Sequence, residues 1–254
     1  MSLNSILSKT MAVVTAVALL NSCKKDETPL TNISAFRKDA SQAQLMDAAG
    51  INSKMTLTDR VNGVDYIISQ NMQVNADLVI EPGVTIMFKE GAGLVIGEQG
   101  SLMAIGETNN TIYFTSESGK RGAWKGIVFL SNSARNVLSY CRVEQGGGAS
   151  EYGSANVIVG SAVKKAQAEI SHSEITASRA DGVLLSKGSK LNYFNYNKVN
   201  TNTAYPLTMY AEDVFAVATN NQFVNNGKNE INVINSGNGF GKQPADFIEK
   251  TAHY

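Results

Sequence analysis

Two apolar tracks advance through the second half of the sequence with the same step of 24 residues. Val183-x-Leu185, Leu207-x-Met209 and Ile231-x-Val233 form one, and Ile175, Val199 and Phe223 form the other. A repeat this short cannot bury its own apolar face, so successive repeats must stack on one another. The runs are two or three residues deep, alternate with period two, are rich in Val and Ile, and end in Gly, Asn, Ser or Thr. That texture selects strands over helix. The chain is therefore predicted to be all-β, a parallel solenoid whose coils pair backbone to backbone at ~4.8 Å. Upstream, Leu78-x-Ile80, Leu94-x-Ile96 and Ile112-x-Phe114 recur at intervals of 16 and 18, and are read as the same repeat. Cys141 and Val143 precede the regular part by 32 residues, with the extra length placed in the Gly-rich stretch Gln145 to Gly153.

Stacking makes neighbours of residues one period apart. Cys141, Ser173, Asn197 and Asn221 then form a turn column resembling an asparagine ladder, whose amides satisfy turn backbone that would otherwise be buried unpaired. Beside it run Tyr140, His172, Tyr196 and Asn220, an aromatic column in which His172 is expected to point inward. On the other side Arg142, Glu174, Lys198 and Gln222 alternate in charge, a solvated face whose pairs contribute ~0–1 kcal/mol each. An outward column of Val128, Ile158, Leu184, Thr208 and Asn232 carries three apolar side chains. Something must cover them: the N-terminal segment, a long turn, or a partner.

The segment LVIEPGVTIMFKEGAGLVIGEQGSLMAIGETNNTIYFTS, with GAWKGIVF and NVLSYCRVEQGG after it, resembles right-handed parallel β-helix lipoproteins of Bacteroidetes-type bacteria. These belong with the pectin-lyase-like folds. The resemblance covers about Val61 to Gly237 and implies a right-handed helix, but no single activity, because the fold hosts many.

The first residues carry one cation, Lys9, then an uncharged apolar run from Met11 to Leu20 and small or polar residues. That order is the order of a secretory signal, and the run is too short to span a bilayer. Leu20-Asn21-Ser22-Cys23 resembles a bacterial lipobox, and Lys24-Lys25-Asp26-Glu27 resembles the tag of surface-exported lipoproteins. The expected organisation is a signal peptide over 1–22 and a lipidated tether over 23–54. Within the tether a short helix is predicted from Ser34 to Ala49. The β-helix then follows over 55–239, with a shielding C-terminal segment over 240–254. Cys23 would hold the chain to the outer membrane, exposed at the cell surface, through its acyl chains. Cys141, left without a partner, is expected to be buried.

Function is less constrained. With 22 basic and 22 acidic side chains the chain lacks the basic field of a nucleic-acid binder. No zinc-ligand spacing or dinucleotide loop occurs, and no cofactor is expected. Arg179, Asp181, Lys187 and Lys190 lie close in sequence and could be the remnant of a polysaccharide-lyase site, the one reading in which Ca²⁺ would be needed. Glu212-Asp213 is the only adjacent acidic pair outside the tag, and a strand would send its members to opposite faces. Trp124, Tyr152, Tyr193, Tyr205 and Tyr210 fall near strand ends, where rings could stack on sugars, although aromatics more often pack cores. The favoured expectation is a non-catalytic surface protein binding polysaccharide or another envelope component. The alternative is a lyase or hydrolase of an acidic glycan.

Overall fold

Successive strands of this chain do not pair with one another; each pairs, parallel, with the strand three places further on, or two places on where a coil lacks its third strand. The structure, a computed structural model, describes residues 39–47 and 50–235. Over these residues the chain winds into a β-solenoid of about eight turns with three parallel sheets of eight, eight and six strands. The first coil comprises Gln44–Met46, Gly50–Ile51 and Met55–Leu57, one strand for each sheet. The third sheet is shorter partly because in the seventh coil a 3-10 helix, Ala211–Ala216, takes the place of a strand. The chain rejoins that sheet only through a parallel bridge from Val217 to Phe194.

Period-two alternation sends one residue class inward from all three sheets, and stacking aligns them. In the second sheet Met72, Leu94, Ile127, Val157, Val183 and Leu207 stand in register, all essentially inaccessible. In the first sheet Ile86, Phe114, Val143, Ile175 and Val199 do the same. Each such side chain contributes roughly 1.5–3 kcal/mol by leaving water. The 24-residue tracks are thus real columns: Val199 opposes Phe223, and Met209 opposes Val233. The intervals of 16 and 18 are not. Leu78, Leu94 and Ile112 belong to the third, second and first sheets respectively. Because every strand of a coil has the same inward alternation, strand-to-strand spacing imitates a coil repeat.

The turn column forms as a ladder. The Asn197 Oδ1 accepts the Ser173 N–H at 3.1 Å, and the Asn221 Oδ1 accepts the Asn197 N–H at 3.0 Å. The Asn197 amide donates in turn to the Ile170 carbonyl at 2.9 Å. A second ladder, unforeseen in the sequence, stands five residues on, at the opposite edge of the first sheet. Asn202 accepts from Ser178 and Asn226 accepts from Asn202, while their amides donate to the Ile175 and Val199 carbonyls. The backbone turns left-handed just before Cys141, Ser173 and Asn197, at Tyr140, His172 and Tyr196 with φ near 50°, and just before Gly146, Ser178, Asn202 and Asn226, at Gln145, Ala177, Thr201 and Asn225 with φ of 54–65°.

The predicted helix over Ser34 to Ala49 is not seen in its described part. Ser41 and Gln42 form a turn and Gln44–Met46 is a strand paired with Tyr66–Ile68. Sheet pairing at the solenoid end overrides helix propensity, so the first coil starts at Gln44, ahead of residue 55. The expected signal peptide, Cys23 and the segment 240–254 lie outside the described residues.

Candidate binding groove on the outer face of the second sheet

The outward column of the second sheet is Val95, Val128, Ile158, Leu184, Thr208 and Asn232, as spacing predicted from Val128 onward. Three of its apolar members are almost wholly covered, at 7% for Val95, 1% for Val128 and 0% for Ile158. The cover is the Gly-rich excursion, which folds back over the sheet. Gly153 presses on Leu184 so closely that a Cβ there would sit 2.7 Å from its Cδ2. Tyr152 packs on the same apolar cluster with Leu130 and Leu184. Of the three covers the sequence allowed, the long turn is the one found.

The excursion is held at both ends. At its root Gly146, Gly147 and Gly148 are wedged between the Trp124 turn and Ser178, where added side chains would meet Asn156, the Ser178 hydroxyl and the Gly122 carbonyl. At its tip Ser150 and Gly153 exchange backbone hydrogen bonds at 3.2 Å, and the Ser150 hydroxyl accepts the Tyr152 N–H. Between tip and sheet lies a groove of about 440 Å³. Val95 and Val128 give it an apolar floor, buried Gly93 and Gly126 let the neighbouring strands and turns close up beneath it, and Tyr152 forms a wall. Asn71, Lys125 and Glu151 supply polar groups around it. Burial, with Glu151 adding to it, raises the Tyr152 phenol above its usual value.

The remaining predicted aromatics are dispersed. Trp124 is fully buried, stacked on Phe88 at 4.0 Å between centroids, with its indole N–H on the Glu144 carbonyl. It belongs to the core and offers no face to a sugar, which corrects the expectation for that residue. Tyr193 is 47% exposed on the third sheet. Tyr205 lies at a corner under the Lys228 ammonium, 4.8 Å from its ring, and Tyr210 is half-buried where the 3-10 helix begins. His172 does stack between Tyr140 and Tyr196 at 4.7 and 4.8 Å. It is exposed, not inward as predicted, because its left-handed backbone at the corner breaks the alternation. Both faces of the His172 ring are covered by its two neighbours.

The four residues of the lyase reading are not brought together. Asp181, which accepts the Tyr205 N–H, opens the strand Asp181–Leu185, and Arg179 precedes it against Gly122. Lys187 and Lys190 lie beyond the far end of that strand, five residues of ~3.3 Å each. Glu212 and Asp213 occupy the 3-10 helix and not a strand. The Asp213 carboxyl is raised by burial and by Glu212, with Lys190 opposing. Among the described residues no three His, Cys, Asp or Glu side chains gather in a way that could hold a metal ion. The charged column is as expected, with Glu174 paired to Arg142 and, at 3.7 Å, to Lys198. No protein family, no curated protein and no solved structure matches this chain.

Proposed function

We propose that the protein is a cell-envelope lipoprotein, anchored in the outer membrane through Cys23 and exposed at the cell surface, that binds carbohydrate without cleaving it. The observation that carries the binding reading is the groove under the Gly-rich excursion. Ligand sites are concave, mainly apolar and fitted with a few convergent polar groups, and this one sets a tyrosine ring beside an apolar floor and three polar side chains. A sugar ring has that same pairing of an apolar face with a hydroxyl rim. The separation of Arg179 and Asp181 from Lys187 and Lys190 weighs against the lyase alternative, since an acid–base centre needs its groups within hydrogen-bond reach. The anchor rests on the sequence Leu20 to Glu27 alone, and kinship with the Bacteroidetes-type β-helix lipoproteins on the resemblance over about Val61 to Gly237.

Isothermal titration of the chain with a panel of soluble oligosaccharides and bacterial polysaccharides tests the groove. Tyr152→Ala is expected to weaken binding about tenfold, ~1.4 kcal/mol, with an unchanged circular dichroism spectrum. Equal affinities for the variant and the wild type, or no binding across the panel, would remove the groove from consideration. Shortening of any polysaccharide would favour the enzyme reading instead. For the anchor, Cys23→Ser is expected to abolish acylation in a lipoprotein-processing bacterial host, and a variant that is still acylated would overturn it.

A further inference from the structure

One corner of the fold carries aromatic rings that its backbone does not require. Tyr140, His172 and Tyr196 turn left-handed, at φ of 49°, 50° and 53°, where the third sheet passes into the first. A tyrosine is an outlier in that conformation, and such outliers collect at functional sites. The corner between the first and second sheets makes the same turn with Gln145, Ala177, Thr201 and Asn225. A ring is therefore not what the turn itself selects. The stack of rings ends at Tyr196. His172 covers one face at 4.8 Å, and the next residue in the column is Asn220, whose carboxamide oxygen accepts the Tyr196 N–H at 3.2 Å. With one face taken, Tyr196 is still 56% exposed, so it offers solvent its other face and its rim. Tyr193, three residues back on the last strand of the third sheet and hence within about 10 Å, is 47% exposed. Between them stands Asn195. Alternation turns it to the outer face with Tyr193, yet it is 4% exposed and its Oδ1 is buried with no hydrogen-bond partner. A buried acceptor left unpaired is costly and marks a place where a donor is expected.

We propose that Tyr196 and Tyr193 form the stacking platform of a second sugar site, with Asn195 receiving a ligand hydroxyl. A pyranose ring has the two features this corner calls for. Its C–H groups make a flat apolar face that lies on the open side of Tyr196, and its rim carries hydroxyls, one of which donates to the Asn195 Oδ1. The two exposed rings adjust around the sugar as it seats. The site stands at the corner of the third and first sheets, whereas the groove lies on the second, so it does not depend on the groove and one molecule can hold two glycan chains.

Titration calorimetry of the full chain with cellotetraose, mannotetraose and chitotetraose, with proton NMR of the same mixtures, tests this. Binding is expected, with sugar C–H protons moved upfield by the ring they lie on. Tyr196→Asn keeps a residue suited to the left-handed turn, as Asn225 shows. It should weaken binding about tenfold, ~1.4 kcal/mol, and abolish the upfield shift with an unchanged circular dichroism spectrum, while Tyr196→Phe should retain both. The same loss is expected in a Tyr152→Ala background. Equal affinities for Tyr196→Asn and wild type, or no tetrasaccharide bound, would overturn the inference. So would an effect of Tyr196→Asn that vanishes once Tyr152 is replaced, which would leave the groove as the sugar site. Binding lost in Tyr196→Asn but unchanged in Tyr152→Ala would uphold this site and remove the groove.

Discussion

Asn197 satisfies backbone on two coils at once: its carbonyl receives the Ser173 N–H and its amide serves the Ile170 carbonyl. Truncation leaves both groups buried and unpaired, at about 1–3 kcal/mol each. Asn197→Ala is accordingly expected to lower the urea midpoint by an amount worth about 2–4 kcal/mol. A change under 1 kcal/mol would mean that water replaces the amide. This ladder was legible because Ser173, Asn197 and Asn221 share the period of the apolar tracks. The second one carried the same signal in Asn202 and Asn226, 24 residues apart, but was hidden among the many asparagines of that stretch. Trp124 misled for a related reason: a single indole near a turn reads equally as ligand platform or core, and only burial decides. Two titrating groups give further checks. Burial pushes the Cys141 thiol far up, and the thiolate is the reactive form. Native Cys23→Ser protein should therefore leave a thiol reagent unconsumed at pH 8 until denaturant is added. Asp213, raised in the fold above its ordinary 3.8, binds its proton more tightly folded than unfolded. Its contribution is fully present below pH 3.8 and declines as pH rises through the folded value. Asp213→Asn should then gain stability relative to wild type between pH 3 and pH 7 in chemical denaturation, and a constant difference would refute the shift.

At the scale of the element, the corners carry the strain. Seven described non-glycine residues turn left-handed, a conformation costing roughly 1–2 kcal/mol for a residue with a Cβ. The carbonyls and N–H groups they release are those the ladders satisfy, which is why strain and ladder occupy adjacent positions. Ala177, at φ 54°, has no side chain that compensates. Ala177→Gly should raise the melting temperature, by up to about 1 kcal/mol of stability, whereas glycine at Tyr196 would also lose its stacking on His172. The sequence disclosed where strands lie but not which sheet each joins, since all three alternate alike. The groove was less legible still. Its wall and floor come from residues as distant as Asn71 and Tyr152, and they meet only because three glycines let the excursion fold flat against Trp124.

For the whole molecule, one apolar core runs from Ile51 to Met209 with no break, yet each strand pairs only with strands of the coils before and after it. Stability in such an array is a sum of coil and interface contributions. Amide exchange should therefore be slowest in the middle coils, around Phe114 to Ile175, and faster toward Gln44–Met46 and Asn232–Ile234, where strands have a neighbour on one side only. Uniform protection throughout would instead indicate a single cooperative block. The three final coils differ from the earlier ones in one respect: from Ser173 onward both ladders and the apolar columns advance by an identical 24 residues. A tandem copy of residues 197–220 would find its ladder partners and its apolar partners in the first and second sheets already in place above and below. It would lengthen the rod by one strand spacing, ~4.8 Å, without disturbing the groove. In this region length is a variable that gene duplication can set one unit at a time, so the reach of the molecule can change while the groove stays the same.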